Sequence, residues 1–198
     1  MKTKALKKIT DNLESVLEVL NGNELWDKQI RQRYAEYHVA HELSKRGHHV
    51  TLLSERDVRS ADIYIKGTEG TEKRIEVKSG KQEDDRWAYA SFGDGNQIKK
   101  DKFDYCVFIV FDGRKEGKIR EIFAFTAKEL HDLPTASRNG YARHKSNQCL
   151  LSLATHYDDY ADWVKKNKFR SPPIEKQLNT HPKKYRKQWM KLLRNGTL

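Results

Sequence analysis

The stretch RSADIYIKGTEGTEKRIEVKSGKQ, residues 59–82, places charged side chains inside two short apolar segments. The segments ADIYI (61–65) and KRIEVK (73–78) alternate polar and apolar side chains, as strands with one buried face do. Between them, GTEG (67–70) is rich in turn-forming residues. The stretch therefore predicts a β-hairpin that carries acidic and basic groups on its strands.

Three charged side chains of this hairpin are expected to lie close together. Because side chains alternate between the two faces of a strand, Glu76 and Lys78 share one face. Folding the hairpin brings Asp62 opposite residues 75–77, and cross-strand neighbours on one face have Cβ atoms about 4.5–5.5 Å apart. Asp62 and Glu76 can therefore share one divalent cation, with Lys78 one step further along the strand.

The flanking sequence predicts the remaining elements of an α/β fold. Hydrophobic periodicity predicts helices over residues 4–21 and 24–46, the second ending at Gly47. Further strands are predicted at residues 49–53, 87–92, 103–111 and 119–126. Short helical segments are predicted at residues 96–100 and 157–167. The Thr126–Glu129 pair resembles a capping box and predicts a further short helix that begins there. This order predicts a mixed β-sheet flanked by helices.

The second predicted helix places an acid among apolar residues. Glu36, Val39, Ala40 and Leu43 follow the i, i+3, i+4, i+7 spacing of one helix face. An acid on a core-facing stripe costs free energy unless a partner, a water network or a metal compensates it. A position over the sheet, facing Asp62 and Glu76, would explain this acid, and an effect of the helix end is the alternative.

A helical Glu, then an Asp, then Glu-x-Lys on a hairpin resembles the PD-(D/E)xK nuclease superfamily, which includes restriction endonucleases and archaeal Holliday-junction resolvases. The motif covers residues 34–78, and the strand at residues 103–111 is similar to the next strand of such domains. One departure is Ala61, where the family pattern has proline. That proline shapes a turn and supplies no ligand, so the chemistry does not depend on it.

The resemblance implies a restriction-endonuclease-like fold and a role for each motif residue. The implied catalytic residues are Glu36, Asp62, Glu76, Lys78 and Gln97. Asp62 and Glu76 would bind Mg²⁺, with the Val77 carbonyl as a further ligand and Mn²⁺ as a substitute ion. Lys78 would orient or deprotonate the attacking water or steady the phosphate charge, and Glu36 would hold a second metal or a water on it. Oxygen ligands suit this hard cation, which can activate water for phosphodiester hydrolysis.

Several alternatives to a DNA endonuclease stay open at this point. Asp62, Glu76 and Lys78 can form a surface salt-bridge ladder on an exposed sheet face. The chain can also be a non-catalytic nucleic-acid-binding module on the nuclease fold, or a nuclease that acts on RNA. Within the nuclease interpretation, the hairpin does not distinguish a restriction enzyme from a junction or repair nuclease.

Positive charge is concentrated at the C-terminal end. The chain carries a net charge of +11, and residues 165–198 hold eleven Lys and Arg against one acid, so the remainder is nearly neutral. We therefore predict a nuclease domain with an N-terminal helix over residues 1–168 and a basic helical tail over residues 169–198, with a hinge at residues 171–173. Sequence-independent binding to nucleic acid is the expected role of such a tail.

The residues predicted to contact nucleic acid lie in this tail and in one loop. They are Arg138, Arg143 and Lys145 in the loop, and Lys183, Lys184, Arg186 and Lys187 in the tail. Tyr185 and Trp189 interleave with the tail's bases, a mixture that suits phosphate contact with base stacking. An ordinary solvated face is the alternative for both segments.

Composition favours a soluble protein of a reducing, cytoplasmic compartment with no membrane partner. No apolar run reaches the roughly 18 residues that a membrane helix needs, and the N-terminus lacks the apolar stretch of a signal peptide. Cys106 and Cys149 both have apolar neighbours, which is typical of buried free thiols. The resemblance also implies a homodimer, because a duplex needs two cuts; the Leu-rich first helix can form that interface or pack on the core.

Overall fold

A computed structural model of the chain describes most of its helices and strands. The described residues are 3–20, 24–53, 61–66, 70, 72–81, 87–94, 102–112, 117–131, 148–154 and 183–195. In chain order the elements are α1 (Thr3–Leu20), α2 (Glu24–Lys45), β1 (His49–Leu52), β2 (Ile63–Lys66), β3 (Glu72–Lys81), β4 (Trp87–Asp94), β5 (Tyr105–Phe111), β6 (Ile119–Thr126), α3 (Ala127–His131), β7 (Gln148–Ala154) and α4 (Lys183–Asn195).

Five of the strands form one mixed sheet in the order β1-β2-β3-β5-β6. The β3–β5 pair is parallel, and the other neighbouring pairs of this sheet are antiparallel. Strands β4 and β7 form a separate antiparallel pair. With helices α1 and α2 packed together and α2 packed on β1 and β3, the predicted α/β sheet with flanking helices is confirmed.

The hairpin forms with β2 and β3 in the predicted register. Ile63 pairs with Ile75, and the Asp62 amide donates to the Ile75 carbonyl at 3.0 Å. Strand β2 begins at Ile63, so Asp62 lies just before the strand and not within it as predicted. The backbone ladder nevertheless continues through Asp62, which holds this residue beside the middle of β3.

Strand β5 is the centre of the core. Every residue from Tyr105 to Phe111 is buried, as the continuous apolar run predicts for a strand covered on both faces. Alternate residues, among them Val107 and Ile109, belong to a cluster that includes Leu6 and Leu17 of α1. The Leu-rich first helix therefore packs on the core with these side chains.

Two helix ends confirm the local signals in the sequence. Helix α2 ends in a Schellman motif, in which Gly47 adopts φ of 90° and its N–H donates to the Ser44 carbonyl. The N–H of His48 donates to the Leu43 carbonyl at 3.2 Å. At the start of α3, Glu129 and Thr126 each accept a hydrogen bond from the other's backbone N–H, which is a complete capping box.

Helix α4 packs against β6 and contributes to the core. Tyr185 and Trp189 are only 3% and 6% exposed, so these rings are not available for base stacking, contrary to the prediction. The Tyr185 ring contacts the Phe125 ring at a centroid distance of 4.3 Å. At the other end of the helix, the Leu193 carbonyl lies 2.8 Å from Nε2 of His48. The basic segment is therefore built into the same core as the sheet.

Some predicted features lie outside the described residues. They are the short helical turn at 96–100, the helix at 157–167, the hinge at 171–173 and the boundary between residues 168 and 169. Of the two cysteines, Cys106 is a buried free thiol, and the side chain of Cys149 is outside the described part. None of the described helices is long and apolar enough to cross a membrane.

Candidate active site

Asp62 is held at the edge of β3 by a specific hydrogen bond. The Val77 N–H donates to Oδ2 of Asp62 at 2.7 Å. Because β2 begins only after Asp62, the side chain takes the place of a strand backbone as partner for this amide. The N–H and the C=O of one strand residue point to the same side of the strand, so the Val77 carbonyl faces the edge where Asp62 lies.

Glu76 and Lys78 form an ion pair on β3. Nζ of Lys78 lies 2.5 Å from Oε1 of Glu76, and the two side chains are only 19% and 15% exposed. Burial by itself would lower the pKa of the Lys78 ammonium, but Glu76 and then Asp62 outweigh it and hold that pKa above its ordinary value. The low exposure does not fit an exposed salt-bridge ladder.

The Asp62 carboxyl is shifted toward its neutral form. Burial is the largest cause, followed by repulsion from Glu76 and Glu36, and together they raise the pKa of Asp62 to about 7. The Val77 hydrogen bond and the Lys78 charge oppose this rise. Three carboxylates therefore act on one partly buried region, where their mutual repulsion would be relieved by a cation.

Glu36 is buried in the middle of α2 and is 6% exposed, so an effect of the helix end does not explain it. Its carboxylate has two partners on its own helix. Nη1 of Arg33 donates to Oε2 at 2.8 Å, and Nε2 of Gln32 donates to Oε1 at 3.1 Å. These donors compensate the buried charge of Glu36. Gln32 also bonds to the carbonyl of Val77, whose N–H binds Asp62, so Glu36 and Asp62 are linked through Gln32 and Val77.

Gln32 is a member of the site that the sequence analysis missed. Its Nε2 donates to the Val77 carbonyl at 2.8 Å, and its Oε1 accepts from the Ser79 hydroxyl at 3.0 Å. Gln32 precedes Glu36 by one helical turn, so a polar residue at i−4 from the buried acid was the available signal. Cys106 is a second neighbour, since it pairs with Glu76 in the β3–β5 ladder.

The donor set fits a hard divalent cation. Within the described residues, no group of three or more His, Cys, Asp and Glu side chains is close enough to hold a metal ion. Mg²⁺ does not require one, because it keeps several waters and is typically bound through one or two carboxylates. Two carboxylates are available here, those of Asp62 and Glu76, and the Val77 carbonyl beside Asp62 offers a further oxygen ligand.

The remaining predicted site residues, one catalytic and seven for nucleic-acid contact, divide into three groups. Gln97, Arg138, Arg143 and Lys145 lie outside the described residues. Lys184 is 2.5 Å from Oε1 of Glu129, and Arg186 makes two hydrogen bonds to Glu121 at 2.7 and 2.8 Å. Lys187 is exposed, and the Lys183 side chain is outside the described part.

Comparisons with known proteins give little beyond this geometry. The sequence matches no protein-family model and no curated protein. Among solved structures, the chain is similar to a bacterial homing endonuclease, I-Ssp6803I, at 14% identity and a TM-score of 0.46, over 83% of this chain and 90% of that one. A similarity at this level does not assign a function, so the function must be inferred from the site's own residues.

Proposed function

We propose that this protein is a Mg²⁺-dependent DNA endonuclease with a PD-(D/E)xK site on a restriction-endonuclease-like fold. The observation that carries the proposal is the placement of Asp62, Glu76 and Lys78 around the middle of β3, beside the start of β2, where all three are partly buried. The acid of α2, Glu36, is linked to the Val77 carbonyl through the Gln32 side chain. Sequence alone leaves such groups scattered over more than forty residues, and the fold brings them together.

Hydrolysis of a phosphodiester needs a water that attacks in line and a means of balancing charge on the phosphate. Mg²⁺ held by Asp62, Glu76 and the Val77 carbonyl would supply Lewis acidity at that phosphate. The chain's own contribution is position: the Val77 N–H fixes the Asp62 carboxylate, and the strand fixes Glu76 two residues from Lys78. Fixed ligands reduce the reorganisation that the reaction would otherwise require.

Lys78 is the proposed general acid–base or electrostatic residue. The same carboxylates that raise the pKa of Lys78 keep its amine protonated at neutral pH when neither metal nor phosphate is bound. In that state it donates hydrogen bonds to a phosphate oxygen or to the attacking water and stabilises negative charge there. Its flexible stem would allow the ammonium to move away from Glu76 if that carboxylate held a cation.

Cleavage assays with several nucleic acids distinguish the nuclease types. Supercoiled plasmid, a four-way junction, single-stranded DNA and RNA are incubated with the full chain in Mg²⁺, Mn²⁺ or EDTA. We expect metal-dependent cutting of DNA, abolished by Glu76→Ala, and the preferred DNA form separates restriction-like from structure-specific activity. Cutting of RNA alone would replace DNA as substrate. Tight binding without cutting under any metal would overturn the proposal in favour of a binding module.

The proposed homodimer is tested in the same preparation. Two cuts in a duplex require two sites, and a mass in solution of twice the 23.3 kDa chain would provide them. A monomer that nicks one strand at a time would retain the proposed chemistry and remove the dimer from the proposal.

A further inference from the structure

Gln32 connects three parts of the site through one side chain. Its Nε2 donates to Oε1 of Glu36 and to the Val77 carbonyl, and its Oε1 accepts from the Ser79 hydroxyl. The helix α2 and the strand β3 are thereby joined by hydrogen bonds beside the proposed ligands. A long polar side chain in this geometry loses rotamer freedom, which these three bonds offset.

The orientation of the Gln32 carboxamide is determined by its partners. A carboxylate and a backbone carbonyl are both acceptors at neutral pH, so the amide nitrogen must face them. A rotation of the amide by half a turn would place its oxygen against Glu36 and Val77 and lose both bonds. On the opposite side the Ser79 hydroxyl donates to the Gln32 oxygen at 3.0 Å, which is compatible with the same orientation.

The geometry points to Gln32 as a positioning residue for the proposed metal site. Its side chain holds the Glu36 carboxylate and the Val77 carbonyl in place. This inference rests on the proposed function, because Val77 and Glu36 matter only if an ion binds beside Asp62. A carbonyl oxygen has two lone pairs, so the bond from Gln32 leaves one for an ion. Mutation of a residue that hydrogen-bonds to a metal ligand typically lowers metal affinity or activity by about 10–100-fold.

The test measures Mn²⁺ binding to the full chain without nucleic acid, from the electron paramagnetic resonance signal of free Mn²⁺. For Gln32→Ala we expect a dissociation constant raised about tenfold. Ser79→Ala removes only the bond that orients the amide, and we expect a smaller loss of about threefold. The double variant should bind no more weakly than Gln32→Ala, because Ser79 acts through Gln32.

Gln29→Ala is the matched control, since Gln29 is an exposed glutamine on the same helix. Its dissociation constant should equal that of the wild type. An unchanged affinity in Gln32→Ala, an equal loss in Gln29→Ala, or additive losses in the double variant would overturn the inference while leaving the proposed function standing. If Gln32→Ala does not fold, Ser79→Ala decides, and an unchanged affinity there overturns it. A wild type that binds no Mn²⁺ would overturn both.

Discussion

The Asp62 carboxylate accepts a 2.7 Å hydrogen bond from the backbone N–H of Val77, in the place where a neighbouring strand would otherwise pair. This relationship connects the fold to the proposed chemistry. Among the described residues, β2 pairs with β3 only as far as Ile75, and the side chain that binds the next amide on this side is the first proposed ligand. The same arrangement brings Asp62 under the influence of Glu76 and Glu36.

Asp62→Asn should stabilise the metal-free protein at alkaline pH. The folded-state pKa of about 7 lies above the ordinary value of 3.8. The stability that neutral Asp62 contributes is therefore complete below about pH 4 and is lost as the pH rises through 7. Asparagine stays neutral and keeps an oxygen for the Val77 N–H, so in EDTA at pH 8 we expect its Tm to exceed the wild-type value by roughly 3–6 °C.

Thermal denaturation checks this expectation. The difference in Tm should shrink at pH 5, and Mg²⁺ should raise the Tm of the wild type but not that of the variant. An Asn variant less stable than the wild type in EDTA at pH 8 would contradict the raised pKa of Asp62.

Glu129→Ala should destabilise the protein by about 1 kcal/mol at pH 7, because it removes a capping box. Burial would raise the pKa of Glu129, but hydrogen bonds from Lys184, Thr126 and Gln188 outweigh it and lower that pKa. A lowered folded-state pKa means that the carboxylate's contribution is lost as the pH falls through it.

Urea unfolding as a function of pH is the appropriate measurement. The difference in the free energy of unfolding between the wild type and Glu129→Ala should become smaller toward pH 3. Lys128→Ala, an exposed neighbour on the same helix, serves as the control and should change little. A difference independent of pH would show that the charge of Glu129 does not contribute.

Trp189→Ala should cost about 3–5 kcal/mol, because this ring is 6% exposed and belongs to the core cluster. Met190→Ala is the control on the adjacent residue, whose side chain is 50% exposed, and its effect should be within about 0.5 kcal/mol. The free energy of unfolding from urea titration measures both. Equal, small effects would mean that α4 does not belong to the core.

The exposed bases of α4 should carry the salt-dependent part of DNA binding. Lys187, Lys191 and Arg194 are exposed and follow i, i+4, i+7 spacing. Replacing all three with Ala should reduce the slope of the logarithm of the DNA-binding constant against the logarithm of salt concentration by about 1 per lost phosphate contact. The free energy of unfolding should not change. The control removes three exposed lysines of α1: Lys4, Lys7 and Lys8. Equal losses in both variants would mean that α4 has no specific role in binding.

Local sequence signals predicted much of the fold. The β6 strand and the Thr126–Glu129 capping box form at the predicted residues, because both depend on neighbours in the chain. The start of β2 was misplaced, since it depends on Asp62 bonding to Val77, fifteen residues away. Alternation alone does not reveal that a side chain ends a strand.

The errors at the site and the tail have related causes. Gln32 was missed because its partners lie on β3 and a single polar residue on a helix is ordinarily solvent-facing. Tyr185, Trp189, Leu192 and Leu193 follow the spacing of a core-facing stripe, and that signal was available in the sequence. The high density of bases around the two rings favoured stacking on nucleic acid instead. Charge density describes the exposed face of a helix and leaves its buried face undetermined.

The most direct measurement is the rate of Mg²⁺-dependent cutting of supercoiled plasmid by the wild type, Lys78→Ala and Lys118→Ala. Lys118 is an exposed lysine just before β6 and serves as the control for loss of one positive charge. We predict cutting by the wild type and by Lys118→Ala, no cutting in EDTA, and a rate at least about 100-fold lower in Lys78→Ala. Undiminished cutting by Lys78→Ala would contradict the assignment of the β2–β3 hairpin as the active site.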